Sequence, residues 1–455
     1  MDNLLQINQE VLITIKRIGI NGEGIGYYKR LAVFVDGVIP PEEVVVKITK
    51  IQKTYANAEV VRIKKKAFYR TKPFCQHYQV CGGCQLQHVN YEEQQRLKEA
   101  SLKQSFERYT TLDLAAIKFY PFSPLVNTSH YRHKASMPVR NTKDGIVTGL
   151  YRKDSQDLVD VLYCPVQDKD INRVNQEVLK ILDTHDIQAF DPTIMRGLVR
   201  YIVTRKSSHH GDIQVTLVVT IYNHALKSAA KDIINIPSVK SVYISKNHDV
   251  NNHAIFGETV ELLEGRETIQ ETMGDILYDL GPKAFYQLNP EEAAKMYESI
   301  DTLFDDKDQN LLDLYTGSGA MALYFAKRFK NVIGIDLSVE SIESAKNNAK
   351  INDLSHVKFV AGDAYQTLKT LYDQNHHFDV AVFDPPRTGL DKDLIDLMLR
   401  KPIKKLIYVS CNPSTLAKNI KLLSRKYNIV SVRPFDMFPQ TAHVESVTLL
   451  SLKTA

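Results

Sequence analysis

From Leu311 to Val409 the chain alternates short apolar runs with longer helical patterns, and no other feature restricts its possible folds as much. Leu311-Leu312-Asp313-Leu314-Tyr315 reads as a buried strand, Thr316-Gly317-Ser318-Gly319 as a tight turn, residues 320–329 as a helix, and residues 332–335 as a second strand ending at Asp336. Residues 357–360, 380–383 and 406–409 supply three further strands with helical stretches between them. Strands joined in this way by helices predict an α/β, doubly wound parallel sheet. Such sheets bind ligands beyond the carboxyl ends of their strands, so the residues that follow each apolar run become candidates for chemistry.

After the first run, Gly317 and Gly319 let the backbone approach a ligand, and Asp336, nineteen residues past Gly317, can accept hydrogen bonds from a ribose. Ala322 completes a looser Gly-x-Gly-x-x-Ala dinucleotide pattern, which leaves a nicotinamide dehydrogenase as one reading. Asp363 after the third run and Asp384 in Asp384-Pro385-Pro386-Arg387 after the fourth favour S-adenosylmethionine, although Asp384 also reads as a plain helix cap. After the fifth run Asn412 and Pro413 break the strand at once and leave Cys411 at a strand-to-helix corner. The positive N-terminal end of the next helix favours a thiolate there, so position alone makes Cys411 a candidate nucleophile.

A chain of 455 residues is too long for one core. Its net charge of +5 fits nucleic-acid binding without requiring it. The distribution is more informative: between Lys47 and Lys72 the bases crowd together with Glu59 as the only acid, interleaved with Tyr55, Phe68 and Tyr69. That pattern points to a polyanion with bases to stack on. Alternating runs between Val11 and Ile63, punctuated by Gly19, Gly22, Gly24, Gly26 and Pro40-Pro41, predict a small β-barrel. No apolar stretch reaches membrane-spanning length and Met1-Asp2-Asn3 does not open a signal peptide, so a cytoplasmic protein with no membrane attachment is expected.

Three thiols, Cys75, Cys81 and Cys84, lie within ten residues, and Gly82-Gly83 allows the backbone to fold tightly around a bound group. The two Cys-x-x-Cys pairs usual in zinc ribbons are not both present. Cys164 is the one remaining thiol before Cys411. A [4Fe–4S] cluster held by Cys75, Cys81, Cys84 and Cys164 is the expectation, and it would draw the middle of the chain against the N-terminal part.

Gly22-Glu23-Gly24-Ile25-Gly26 and Val38-Ile39-Pro40-Pro41-Glu42-Glu43-Val44 resemble the TRAM domain, a small RNA-binding barrel, with Pro41 where glycine is usual. Over nearly the whole chain the sequence resembles the RNA uracil-C5 methyltransferases. The matching stretches are Phe285-Tyr286-Gln287-Leu288-Asn289, Asp313 through Gly319, Asp384-Pro385-Pro386-Arg387, Ser410-Cys411-Asn412-Pro413 and His443-Val444-Glu445. The clustered cysteines and the barrel point within that family to the branch acting on 23S ribosomal RNA.

The resemblance implies a TRAM-like barrel over residues 1–66, a mixed α+β central domain carrying the cluster over 67–280, and a Rossmann-like methyltransferase domain over 281–455. It implies that Cys411 attacks uracil C6 and that Glu445 removes the C5 proton. Gln287, Tyr315, Asp336 and Asp384 are the implied S-adenosylmethionine contacts, joined by Asp363, and Phe285 and Arg132 are expected at an extruded target uridine. The expected partner is 23S ribosomal RNA, before or during ribosome assembly, with no obligate protein partner. A transfer RNA substrate, or a non-catalytic RNA-binding protein with a vestigial methyltransferase domain, are the alternatives.

Overall fold

In the computed structural model, residues 5–123, 125, 127–249 and 254–454 are described, and Met1-Asp2-Asn3 lies outside them. The N-terminal alternation closes into a five-stranded barrel in the order Glu10–Ile18, Gly24–Tyr28, Leu31–Val35, Tyr55–Lys65, Glu43–Ile51. Alternate residues point inward, so Val11, Ile13 and Ile15 meet Val33, Val35, Val44, Val46 and Ile48 in its core.

The basic stretch is partly consumed by the fold. Arg70 donates to the buried carboxylate of Glu42 through Nε at 2.6 Å and Nη2 at 2.7 Å, and Lys47 lies 3.7 Å from Glu59. Tyr69 is buried, whereas Phe68 is 90% exposed. Arg70 therefore locks the barrel to the segment that follows it and is not free to meet a polyanion. The sequence count missed this because Glu42 lies just outside the basic window.

A seven-stranded sheet occupies the middle of the chain, in the order Thr259–Gly265, Val239–Lys246, Ile213–Val219, Val199–Lys206, Lys134–Thr142, Gly145–Tyr151, Leu158–Asp160. The helices Lys169–Thr184 and His224–Ile233 bury their apolar stripes against it through Val174, Val178, Leu182, Leu226 and Ile233.

The C-terminal sheet has eight strands: Val357–Ala361, Asn331–Asp336, Asn310–Leu314, Val380–Phe383, Lys405–Ser410, Glu445–Leu452, Tyr427–Phe435 and Lys118–Phe119. The first five are parallel, as the alternation predicts. The sixth departs from that prediction, because Glu445–Leu452 runs antiparallel to both of its neighbours. The chain turns back from Tyr427–Phe435 and inserts its final strand next to Lys405–Ser410. Helix Tyr91–Tyr109 also packs on this sheet, placing Leu102 and Phe106 in the same core as Leu406, Leu416 and Ile420. Among the described residues no helix is long and apolar enough to cross a membrane.

Candidate active site

Strand Lys405–Ser410 ends one residue before Cys411, and Asn412 caps helix Pro413–Leu423 by accepting from the backbone N–H groups of Ser414 and Thr415 at 3.1 and 3.4 Å. The Asn412 amide and the Thr415 hydroxyl both donate to the Arg387 carbonyl, at 3.2 and 3.1 Å, which ties the Asp384–Arg387 loop to the same corner. Antiparallel pairing supplies the third part. Ser410 pairs with Ser446, so Cys411 and Glu445 are the next residues on adjacent strands.

The electrostatics correct one sequence expectation. The Cys411 thiol is pushed up to about 11, by burial first and then by the Glu445 and Asp384 carboxylates, against which the Arg387 guanidinium works. Burial and the two carboxylates thus oppose the helix end at Cys411. Glu445 is raised well above the ordinary carboxylate range by burial and by Asp384, and Asp384 is itself raised by burial. Arg387 Nη2 donates to the His443 ring at 2.9 Å, and burial followed by that cation lowers His443 to about 4. A cavity of about 40 Å³ lies at this corner, walled by Cys411, Pro413, Arg387, His443, Ser101 and the barrel turn Ile20-Asn21.

A second group of residues adjoins the first. Asp313, fully buried at the end of strand Asn310–Leu314, accepts from the Thr316 hydroxyl at 2.5 Å and the Ala322 N–H at 3.0 Å, and burial pushes it up to about 7. Its Oδ1 has no hydrogen-bond partner among the described residues. Asp336 accepts from the N–H groups of Gly317 and Ser338, both at 2.9 Å. Gly317 has φ +56 with nothing within 4 Å of where a Cβ would stand, so its face of the turn is open. Gly319 has φ +83, and a Cβ there would lie 2.8 Å from the Phe359 ring.

Gln287 and Asp384 both act on the buried Tyr297 hydroxyl, burial and then Asp384 raising it and Gln287 working against them. Tyr315 stands half-buried near Asp363, whose carboxylate caps helix Ala364–Asp373. Asp384 caps no helix, which removes its bland reading. Phe285 is 58% exposed, with its carbonyl accepting from the Ser318 hydroxyl. An open glycine turn, an orphaned carboxylate oxygen and flanking acids fit a cationic nucleoside such as S-adenosylmethionine. Asp313, Tyr297, Arg387 and His443 join the site although sequence reasoning assigned them no role. Three of them lie in the quoted motifs, but their burial is invisible in one dimension.

Cys75, Cys81, Cys84 and Cys164, all unbridged, line one cavity of about 390 Å³. The fold thus draws Cys164 to the other three across the intervening chain. Burial raises the thiols of Cys81, Cys84 and Cys164, Cys84 to about 12. The Gly83 N–H approaches Cys81 Sγ at 3.4 Å, and the Gln167 N–H donates to the Cys164 carbonyl at 3.1 Å. Among the described residues no three His, Cys, Asp or Glu side chains converge closely enough to hold one ion. A single zinc draws each sulfur to about 2.3 Å from a common point, whereas these thiols ring a wider space. Four thiols round one cavity supply the donor set that a polynuclear group would need, which a lone ion would not fill. Arg132 lines this cavity and not the Cys411 pocket; its Nε donates to the Lys134 carbonyl at 3.0 Å, and its charge still reaches His443.

A family profile described as tRNA (Uracil-5-)-methyltransferase matches residues 90–453, and one for the TRAM domain matches residues 5–61. The chain is 39% identical to an uncharacterized RNA methyltransferase of Bacillus anthracis over 457 residues, 99% of each chain. It is 38% identical to another of Listeria innocua, covering 98% of this chain and 99% of that one. Among solved structures it is similar to the Pyrococcus abyssi tRNA (uracil-54, C5)-methyltransferase in complex with S-adenosyl-L-homocysteine, with a TM-score of 0.75, 28% identity, and coverage of 96% and 98%.

Proposed function

Because the chain belongs to the tRNA (uracil-5-)-methyltransferase family of S-adenosylmethionine-dependent enzymes, we propose that it methylates C5 of a uridine in 23S ribosomal RNA, giving 5-methyluridine. The observation that carries the reading is the adjacency of Cys411 and Glu445 on neighbouring strands, with Asp384 and Arg387 acting on both.

Uracil C5 is a poor nucleophile. The Cys411 thiolate adds to C6, the ring electrons shift onto the C4 carbonyl, and the resulting enolate makes C5 able to accept a methyl group. S-adenosylmethionine supplies that group as the electrophile. S-adenosylhomocysteine is released, Glu445 then takes the C5 proton, and the electron pair of that C–H bond re-forms the C5=C6 double bond as the C6–S bond breaks and the Cys411 thiolate leaves. Burial and the Asp384 charge raise Glu445, so once ionised it holds the captured proton more firmly than an exposed carboxylate would, and it must enter this step deprotonated. Gln287, Tyr315, Gly317, Gly319, Asp336, Asp363 and Asp384 would hold the methyl donor, and Phe285 and Arg132 are assigned to the RNA.

Cys75, Cys81, Cys84 and Cys164 would hold the [4Fe–4S] cluster. Methyl transfer involves no redox step, so its role is to fix the fold of the RNA-facing surface. A transfer RNA substrate is the second reading, favoured by the name of the Pyrococcus abyssi neighbour.

The test is incubation with labelled S-adenosylmethionine and separate 23S ribosomal RNA and transfer RNA transcripts, followed by nucleoside analysis. Label in 5-methyluridine from the 23S transcript, lost in Cys411→Ala, is expected. Product from transfer RNA alone would install the second reading.

A further inference from the structure

Apart from the exposed bases of the barrel stretch, such as Lys50, Arg62 and Lys64, a second set of basic residues free to meet RNA lies beside the Cys411 pocket. Among the described residues, five of the nine cation–ring contacts fall on one strip. Arg108 and Lys418 lie 5.3 and 4.9 Å from the Tyr109 ring, Lys103 lies 5.7 Å from Phe119, and Lys118 and Arg433 flank Tyr120 at 4.5 and 4.0 Å. None of these five cations pairs with a carboxylate among the described residues, unlike Arg70 and Lys98.

Both flanks of the strip start at the catalytic corner. Ser101 lines the Cys411 pocket, and Tyr109 follows it by eight residues on the same helix, roughly 12 Å along the axis. Lys418 is on the helix that begins at Pro413, and Arg433 stands two residues before Phe435, which pairs with Glu445. Residues 413–433 hold five bases and no acid, and Glu107 and Asp113 are the acids on residues 100–120. The larger groove on the barrel side of His443 is lined by Glu23, Asp36, Glu59 and Asp154 against Lys153, and repels a polyanion.

We propose that this strip docks a single-stranded segment of the RNA substrate flanking the target uridine, with bases stacked on Tyr109 and Tyr120 and phosphates held by Arg108, Lys118, Lys418 and Arg433. Rings flanked by unpaired cations are what single-strand binding uses, since every base has a face to stack and a phosphate to neutralise. The inference rests on the RNA methyltransferase reading.

The test measures binding of fluorescein-labelled dodecauridylate to the full-length protein as a function of salt. Tyr120→Leu should weaken binding about five- to hundredfold. Lys118→Gln with Arg433→Gln should reduce the slope of log affinity against log salt by about 1.4, as two single-strand phosphate contacts require. Lys358→Gln with Lys369→Gln, on the strand at the opposite edge of the sheet and on the helix that follows it, should change neither, and the melting shift produced by S-adenosylmethionine should be the same in all variants. Unchanged affinity and slope in the strip variants, with wild-type binding intact, would overturn the proposal. Failure of the wild type to bind or methylate any RNA, with the melting shift retained, would overturn the reading beneath it as well.

Discussion

Cys411 and Glu445 lie one step beyond the Ser410–Ser446 rung, where strand Lys405–Ser410 meets the antiparallel strand Glu445–Leu452, near enough for the Glu445 carboxylate to add to burial in raising the Cys411 thiol. This places the proposed nucleophile and base at the ends of two rigid elements whose relative register is fixed by six paired residues. If Glu445 removes the C5 proton, its loss strands the reaction after methyl transfer, because the Cys411 sulfur cannot leave while that proton remains. Glu445→Gln should therefore lower turnover by at least about a hundredfold and accumulate a protein–RNA adduct that survives a denaturing gel. Cys411→Ala should give neither product nor adduct. An active Glu445→Gln enzyme with no adduct would remove Glu445 from the mechanism.

The pH dependence follows from the same neighbours. Burial and the two carboxylates hold the Cys411 thiol near 11, so its thiolate is a minor form at neutral pH and increases tenfold per pH unit up to that value. Single-turnover rates should rise between pH 7 and 9. Arg387 is the cation that opposes the shift, so Arg387→Met raises the thiol further and moves the profile to higher pH. A flat profile, or one that Arg387→Met leaves in place, would show that thiolate formation does not limit the rate.

Gly317 and Gly319 separate cofactor binding from folding. Both have positive φ, and a left-handed residue with a side chain costs about 1–2 kcal/mol. At Gly319 the new Cβ also meets Phe359 at 2.8 Å, inside the core, so Gly319→Ala should lower the melting temperature well below that of Gly317→Ala. At Gly317 the new methyl enters the open face of the turn. Gly317→Ala should keep most of its stability while weakening S-adenosylmethionine binding in a calorimetric titration.

These contrasts indicate which features were legible in the sequence. The parallel strands and their turns were, because periodicity and glycine placement are local. All four thiols of the ring were anticipated: Cys75, Cys81 and Cys84 lie close in sequence, and Cys164, which tertiary packing brings to them, was the one thiol left before Cys411. The antiparallel insertion of Glu445–Leu452 was not legible, since a single apolar run carries no direction, and Glu445 was paired with Cys411 only through the family resemblance. Asp313 was passed over because an acid inside an apolar run shows neither its burial nor its unpaired oxygen. Arg70 was counted as surface charge because its partner Glu42 lies 28 residues away.

The buried pair Lys98–Asp436 gives a stability prediction of the same long-range kind. Lys98 Nζ donates to Asp436 Oδ1 at 2.6 Å and to the Phe438 carbonyl at 3.2 Å, both charged side chains are fully buried, and the Tyr91 hydroxyl donates to Asp436 Oδ2 at 3.1 Å. Helix Tyr91–Tyr109 is thereby pinned to the loop that carries His443 toward Cys411. Lys98→Met leaves Asp436 charged, buried and without its cation, at a cost of about 3–5 kcal/mol. Adding Asp436→Asn removes the stranded charge and keeps an acceptor for Tyr91, so the double variant should recover much of that loss. Thermal unfolding of the three proteins checks the coupling: a double variant no more stable than Lys98→Met would mean that lost packing of the lysine stem, and not the uncompensated carboxylate, sets the cost.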